Sequence, residues 1–257
     1  MNNLREYLML GRVEKYILEK IVAEKTIHMT LIDPEKITPA QAAIVAESSK
    51  SSGTAAIMIG GSTLASQEHL DHIVKAIKEA VDLPTILFPN NASGISKHSD
   101  AIWFMSLLNS ADQRFLIGAQ IQGAPLIKQF NIEPISMGYI IVGQGGTAGV
   151  VGKAITIPYD KPNTAVDHAL AGKYLGMRFI YLEGGSGVAT PVPPEMISAV
   201  KKHVGLPLIV GGGIRTREQA VAAAQAGADI IVTGNLIEAV DSKRRIAEIV
   251  EGIKQKS

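Results

Sequence analysis

The sequence predicts a TIM-type (β/α)8 barrel, modified at its third βα connection and preceded by an extra N-terminal helix. Three observations predict it. The chain has 257 residues, the size of one such barrel rather than two domains. Eight short runs rich in Ile, Val, Met and Phe recur along it, each near-continuously apolar, as strands buried on both faces are. Helix-like stretches separate most of these runs, which implies repeated βα units. No linker, low-complexity stretch or clear repeat divides the chain, so one domain spanning residues 1–257 is expected.

In order, Leu4 to Lys25 reads as a helix, with Leu10, Val13, Ile17 and Ile21 at helical spacing. It precedes the first strand, so it either covers the bottom of the barrel or packs as an ordinary helix. The apolar runs are Thr26–Asp33, Ala55–Ser62, Pro84–Asn90, Ala101–Leu108, Ser136–Gly143, Arg178–Gly185, Pro207–Ile214 and Asp229–Asn235. Helical patterns cover Pro39–Ser52, Ser66–Ala80, Thr164–Leu175, Pro193–His203, Arg217–Ala226 and Lys243–Lys256. The third connection, Asn91–Asp100, is Ser/Asn/Gly-rich and too short for a regular helical crossover, so a loop or extended segment is expected. The Gly-rich stretch Gly143–Gly152 reads as a second irregular connection, a mobile loop near the mouth.

Composition narrows the function. Hydrophobic residues make up 46% of the chain, enough for a sizeable core. A net charge of +1 gives no basic excess of the kind nucleic-acid binders carry. The absence of cysteine excludes disulfides and cysteine metal sites. No apolar run approaches the roughly 18 residues that span a bilayer, and the N-terminus lacks a secretion signal, so a cytoplasmic protein is expected.

In such a barrel chemistry sits at the C-terminal ends of the strands. Run six ends Glu183-Gly184-Gly185-Ser186-Gly187, run seven Gly211-Gly212-Gly213, and run eight Thr233-Gly234-Asn235. One glycine-rich turn serves a tight corner. Three in succession on the last three strands favour a phosphate, which backbone N–H groups can approach closely. Run one ends in Asp33-Pro34, and run two in Gly60-Gly61-Ser62. A carboxylate and a hydroxyl there suit Mg2+, which keeps waters and takes its other ligands from substrate phosphates. Equally, Asp33 could cap the following helix, and Ser62 or Thr63 the second. Glu183 is the one carboxylate of run six. It is placed to take a proton from a substrate hydroxyl or to orient it, with a salt bridge to Lys or Arg as the alternative. Tyr181, two residues earlier, faces the same side. No lysine ends a strand, which argues against a Schiff-base aldolase.

These segments, taken with Phe104-Met105-Ser106-Leu107-Leu108-Asn109-Ser110, Ile117-Gly118-Ala119-Gln120, Pro191-Val192-Pro193 and Ile214-Arg215, resemble the geranylgeranylglyceryl phosphate synthases and their bacterial heptaprenylglyceryl phosphate relatives. The similar segments span nearly the whole chain in order. The resemblance implies a Mg2+-dependent prenyltransferase of archaeal-type ether lipid synthesis. It would join geranylgeranyl diphosphate to the 3-hydroxyl of sn-glycerol 1-phosphate and deliver its product to the membrane. It further implies Mg2+ at Asp33 and Ser62, and glycerol phosphate held by Tyr181, Leu182, Glu183, Gly184, Gly185, Ser186, Gly187, Gly212, Gly213, Gly234 and Asn235. Homo-oligomers are common in that family. The chain departs from the family pattern at Gly184, usually Ala, and at Gly143-Gln144-Gly145-Gly146, usually Glu-Pro-Gly-Gly. Ile86, Phe88, Trp103 and Phe104 are candidates to line an isoprenoid groove. The rival class is another phosphate-gripping barrel, a sugar-phosphate isomerase or a lyase, which needs no such groove. A binding module is a more distant rival.

Overall fold

A computed structural model describes residues 10–61, 66–234 and 242–254. Its elements are α1 (Arg12–Glu24), β1 (Ile27–Ile32), α2 (Pro39–Ser51), β2 (Ala56–Ile59), α3 (Gln67–Ala80), β3 (Thr85–Leu87), β4 (Ala101–Leu107), α4 (Ala119–Phe130), β5 (Glu133–Gly145), α5 (Gly146–Val151), α6 (Pro162–Tyr174), β6 (Phe179–Ser186), α7 (Pro194–Val204), β7 (Leu208–Gly211), α8 (Arg217–Gln225), β8 (Ile230–Thr233) and α9 (Ser242–Lys254). The strands form one closed barrel in chain order, β8 returning to pair with β1, and every pair is parallel. No helix among the described residues is long and apolar enough to cross a membrane.

Alternation along each strand sorts the core into layers. Met29, Met58, Ile86, Trp103, Met137, Tyr139, Phe179, Tyr181, Ile209 and Val232 share one cluster inside the barrel, which includes Val13 and Ile17 of α1. Two further clusters lie between strands and helices, one with Leu182, Val210 and Ile231 against α6, α7 and α8, the other with Ile57, Leu87 and Ile102 against α2 and α3. The first helix therefore closes the bottom of the barrel. The Glu133 carboxylate, at the start of β5, accepts from Val13 and Glu14 N–H, each at 2.8 Å. Glu14 in turn pairs with Arg178, just before β6, at 2.6 Å.

The third connection carries only a 3-10 turn, Ala92–Gly94, as the short polar segment predicts. Two expectations need correction. Gly143–Gly152 is not an irregular loop: β5 runs on to Gly145 and α5 follows directly. A register shift between Ile141 and Gly145 lets the extended strand pair Gly145 with Gly185, and positive φ at Gly143 and Gly145 accommodates the bend. The second correction is α4, for which the pattern gave no helix. Pro125 lies inside it and a π-helical turn, Arg114–Gly118, leads into it. The N-terminal helix is described from Arg12; the part expected from Leu4 lies outside the described residues.

Because Glu133 supplies the cap that Gly11, the N-cap residue of α1, lacks a side chain to give, Glu133→Ala should lower unfolding free energy by about 0.5–2 kcal/mol, the range of a lost helix cap. Chemical denaturation checks this, and an unchanged midpoint would remove the cap from the account.

Candidate functional site

A cavity of about 580 Å³ opens at the C-terminal ends of the strands. Its polar end is built from the expected turns: Gly185, Ser186, Gly187, Gly212, Gly213 and Gly234 all line it, with Thr233 and Arg215. The turns after β6 and β7 pack directly on each other. Gly212 has φ +81°, and a side chain there would overlap Glu183 Oε1 and sit 2.5 Å from the Gly185 nitrogen, so only glycine fits. Arg215 donates to the carbonyls of Gly187 and Val188 at 3.1 and 3.0 Å, tying one turn to the other.

Glu183 lies in register with Ile141 of β5 and Gly211 of β7, and it is 6% exposed. Its Oε1 accepts from the Gly185 N–H at 2.7 Å. The Tyr181 and Tyr139 hydroxyls also turn toward the carboxylate. Burial pushes its pKa above the ordinary carboxylate value, and the three donors hold it back in part. Its partners are thus tyrosines and a backbone N–H rather than the lysine or arginine of a salt bridge. Tyr139, which the sequence reading did not single out, pairs with Tyr181 across β5 and β6, ring centroids 5.2 Å apart. Phe88 stacks on Tyr181 at 5.6 Å and meets Tyr139 edge-on at 5.4 Å. The three rings floor the cavity beside the carboxylate.

Asp33 takes the capping role expected as the alternative, and it also faces the cavity. It caps the 3-10 turn Pro34–Lys36, accepting from Glu35 N–H at 3.1 Å. Lys36 lies 4.0 Å from its Oδ2 and lines the cavity too, a cation the sequence reading passed over. Gly61 faces Asp33 so closely that a Cβ would stand 2.6 Å from Oδ1. One partly exposed carboxylate with open space beside it fits Mg2+ completed by water and phosphate oxygens. Among the described residues no group of three acidic or histidine side chains forms a metal cage. Ser62 and Asn235 lie outside the described residues.

From this polar end the cavity continues as an apolar arm. Phe88, Trp103 and Phe104 line it as expected, together with Ile95, Ile102, Met105, Phe115, Gly123 and Ile127. Ile86 does not; it is fully buried in the barrel interior. Ile102 and Phe104 belong to the outward face of β4, so the arm leaves the barrel interior where a third crossover helix would otherwise lie. Gly123 lets α4 approach Ile95, whose Cδ1 a Cβ would meet at 3.1 Å. Leu182 and Gly184, expected at the substrate, do not line the cavity. The alternation that turns Tyr181 and Glu183 inward sends Leu182 into the outer layer, where it is fully buried.

The PcrB family profile matches residues 19–253. The chain is 54% identical over 251 residues to geranylgeranylglyceryl phosphate synthase of Thermococcus kodakarensis, covering 96% of this chain and 99% of that one. It is 54% identical over 246 residues to the synthase of Methanosarcina barkeri, covering 95% and 100%. Its fold is similar, with a TM-score of 0.93 and 43% identity, to (S)-3-O-geranylgeranylglyceryl phosphate synthase of Thermoplasma acidophilum in complex with sn-glycerol-1-phosphate, covering 96% of this chain and 100% of that one.

The raised pKa of Glu183 has a consequence for stability. A carboxylate whose folded pKa exceeds its unfolded one favours folding while protonated and loses that contribution as pH rises through the folded value. Above its folded pKa the ionised, buried group therefore burdens the fold. The advantage of Glu183→Gln over the parent in denaturant should be larger at about pH 9 than at about pH 4, near the unfolded carboxylate value. Equal midpoints at both pH values would contradict the burial argument.

Proposed function

The chain belongs to the PcrB family, among the geranylgeranylglyceryl phosphate synthases, and from that premise we propose how its site divides the reaction. The protein is a transferase that joins a prenyl group to glycerol phosphate. Glycerol phosphate takes the polar end: its phosphate lies on the turns Gly185–Gly187, Gly212-Gly213 and Gly234, with Asn235 expected beside it. The prenyl tail takes the apolar arm, and the diphosphate lies between them, near Asp33 and Lys36. Asp33 would hold Mg2+, with Ser62 as the second protein oxygen expected from the sequence; the ion's contribution is to neutralise the departing diphosphate.

The single observation that carries this reading is the continuity of one cavity from the glycine turns, past Glu183, into an apolar arm. The allylic carbon–oxygen bond to diphosphate breaks and leaves cationic character on carbon. The glycerol 3-hydroxyl, fixed by its phosphate on the glycines, forms the new carbon–oxygen bond, and its proton passes to Glu183. Glu183 suits that task because burial raises its pKa and makes its carboxylate a better base than an exposed one. A lyase or isomerase shares the glycines but gives the apolar arm no occupant. Similarity to tryptophan synthase chains, at 12–15% identity, reflects the barrel alone. The same reading carries a C20 donor, a cytoplasmic homo-oligomer and release of product to the membrane.

Glu183→Gln should lower kcat by about 10²–10⁴-fold, the size of a lost general base, with KM for glycerol phosphate moved far less; a variant of full activity would end the assignment. Asp33→Asn should raise the Mg2+ concentration at half-activity by about 10–100-fold, as lost metal-site partners do, and an unaltered Mg2+ titration would remove the metal from Asp33. Product analysis across prenyl diphosphates of increasing length, with both glycerol phosphate enantiomers, should favour the C20 donor and sn-glycerol 1-phosphate. Equal use of the other enantiomer would overturn the stereochemical part.

A further inference from the structure

Behind the turn after β8 lies a buried group that this reaction does not use. Ile27 and Met29 point into the barrel, so His28 and Thr30 face outward, and His28 is 1% exposed. Both of its ring nitrogens are engaged: Nδ1 lies 2.8 Å from Thr54 Oγ1 and Nε2 lies 2.8 Å from Thr233 Oγ1. Thr54 is 3.3 Å from the Thr30 hydroxyl, which donates to Ser49 Oγ at 3.0 Å. Every member of the chain is buried. It crosses the closing seam of the barrel, from β8 through β1 to Thr54, two residues before β2, and on to α2.

The direction of this chain follows from its far end. Thr30 spends its proton on Ser49, so its oxygen accepts from Thr54. The Thr54 oxygen then accepts from Nδ1–H of His28, and Nε2, left without a proton, accepts from the Thr233 hydroxyl. Only a neutral ring can serve this order, and burial pushes the His28 pKa down to about 3. One arrangement satisfies each hydrogen bond in the series, and a fully satisfied buried network holds its members in one geometry.

We propose that His28 is a positioning residue for the phosphate grip: its Nε2 fixes the Thr233 hydroxyl, and with it the end of β8 from which Gly234 enters the cavity. Thr233 is in register with Thr30 and lines the cavity beside Gly234. With its hydroxyl held by His28, Thr233 presents backbone to the mouth, and the turn leaves the strand from a fixed point. The inference rests on the reading of the Gly234 turn as part of the glycerol phosphate site.

The test is titration calorimetry of the full chain with sn-glycerol 1-phosphate, alongside KM for both substrates. Thr233→Val, which keeps the shape and removes the hydroxyl, should weaken glycerol phosphate binding by about tenfold, the size of one lost net hydrogen bond, while KM for the prenyl diphosphate stays unchanged. Thr233→Ser, which restores the hydroxyl, should recover most of that affinity. His28→Asn, too short to bridge both threonines, should behave as Thr233→Val does. A Thr233→Val variant that melts earlier but binds glycerol phosphate like the parent would reduce the chain to a packing device and overturn the proposal. So would an equal rise in KM for both substrates. Failure of the parent protein itself to bind glycerol phosphate would instead overturn the underlying assignment of the site.

Discussion

Parallel strands cannot be joined by a tight turn, so each connection must travel back along the outside of the barrel before the next strand begins. Among the described residues, six of the seven connections between the eight strands make that journey with an α-helix, and the third makes it with a 3-10 turn and extended chain. This one economy shapes the whole cavity. A helix there would have packed on the outward face of β4 as α7 and α8 pack on β6 and β7. Instead Ile102, itself packed in the core, and Phe104 border the cavity together with Ile95 and α4. A face with the composition of a core layer thereby becomes one wall of an apolar groove.

At the other end the constraint is electrostatic. Among the described residues no cation stands against the buried Glu183, and one backbone N–H and two phenols offset only part of the cost of its charge. A salt bridge would lower that cost, and it would also lower the basicity that makes the carboxylate useful. The glycine at position 212 belongs to the same bargain: any side chain would collide with Glu183 and push the two phosphate turns apart. On the reading proposed for the site, stability is yielded at both positions to hold a base and an anion site within reach of one another.

Much of this was legible in the sequence because it depends on local period and on residue type. Continuous apolar runs mark doubly buried strands, and the length of Asn91–Asp100 excludes a helical crossover. Glycines at three strand ends mark a backbone-built anion site. What escaped depends on tertiary context. Pro125, Gly118 and Gly123 mask α4, whose helix survives because its buried face packs against the barrel. The stretch after Ile141 reads as loop because its glycines look flexible, yet pairing with Gly185 extends the strand. Tyr139 is an ordinary inward residue on its own strand. Only the register of β5 against β6 places it beside Glu183. Leu182 shows the opposite error: a contiguous segment was taken as one site, although strand alternation turns every second side chain away.

Closure in chain order also explains where the base must stand. The glycine turns follow β6, β7 and β8, and Asp33 follows β1, the next neighbour around the ring. These four strands make one polar arc of the mouth. Phe88 after β3, the outward face of β4 and Tyr139 of β5 make an apolar arc, and β2, whose end places Gly60 and Gly61 at the cavity, stands between the two arcs beside Asp33. The two arcs meet at β2 and again between β5 and β6, and it is at the second junction that Glu183 lines the cavity. A reaction that joins the hydroxyl of a phosphate-bearing molecule to the end of an apolar chain has its new bond at that junction, because each partner must reach there from its own side. Glu183 stands on β6, the strand that borders the apolar arc, with Tyr139 of β5 against it. On β7 or β8 the same carboxylate would be surrounded by phosphate ligands, far from the allylic carbon. On β4 it would have no glycine turn to fix the hydroxyl it serves.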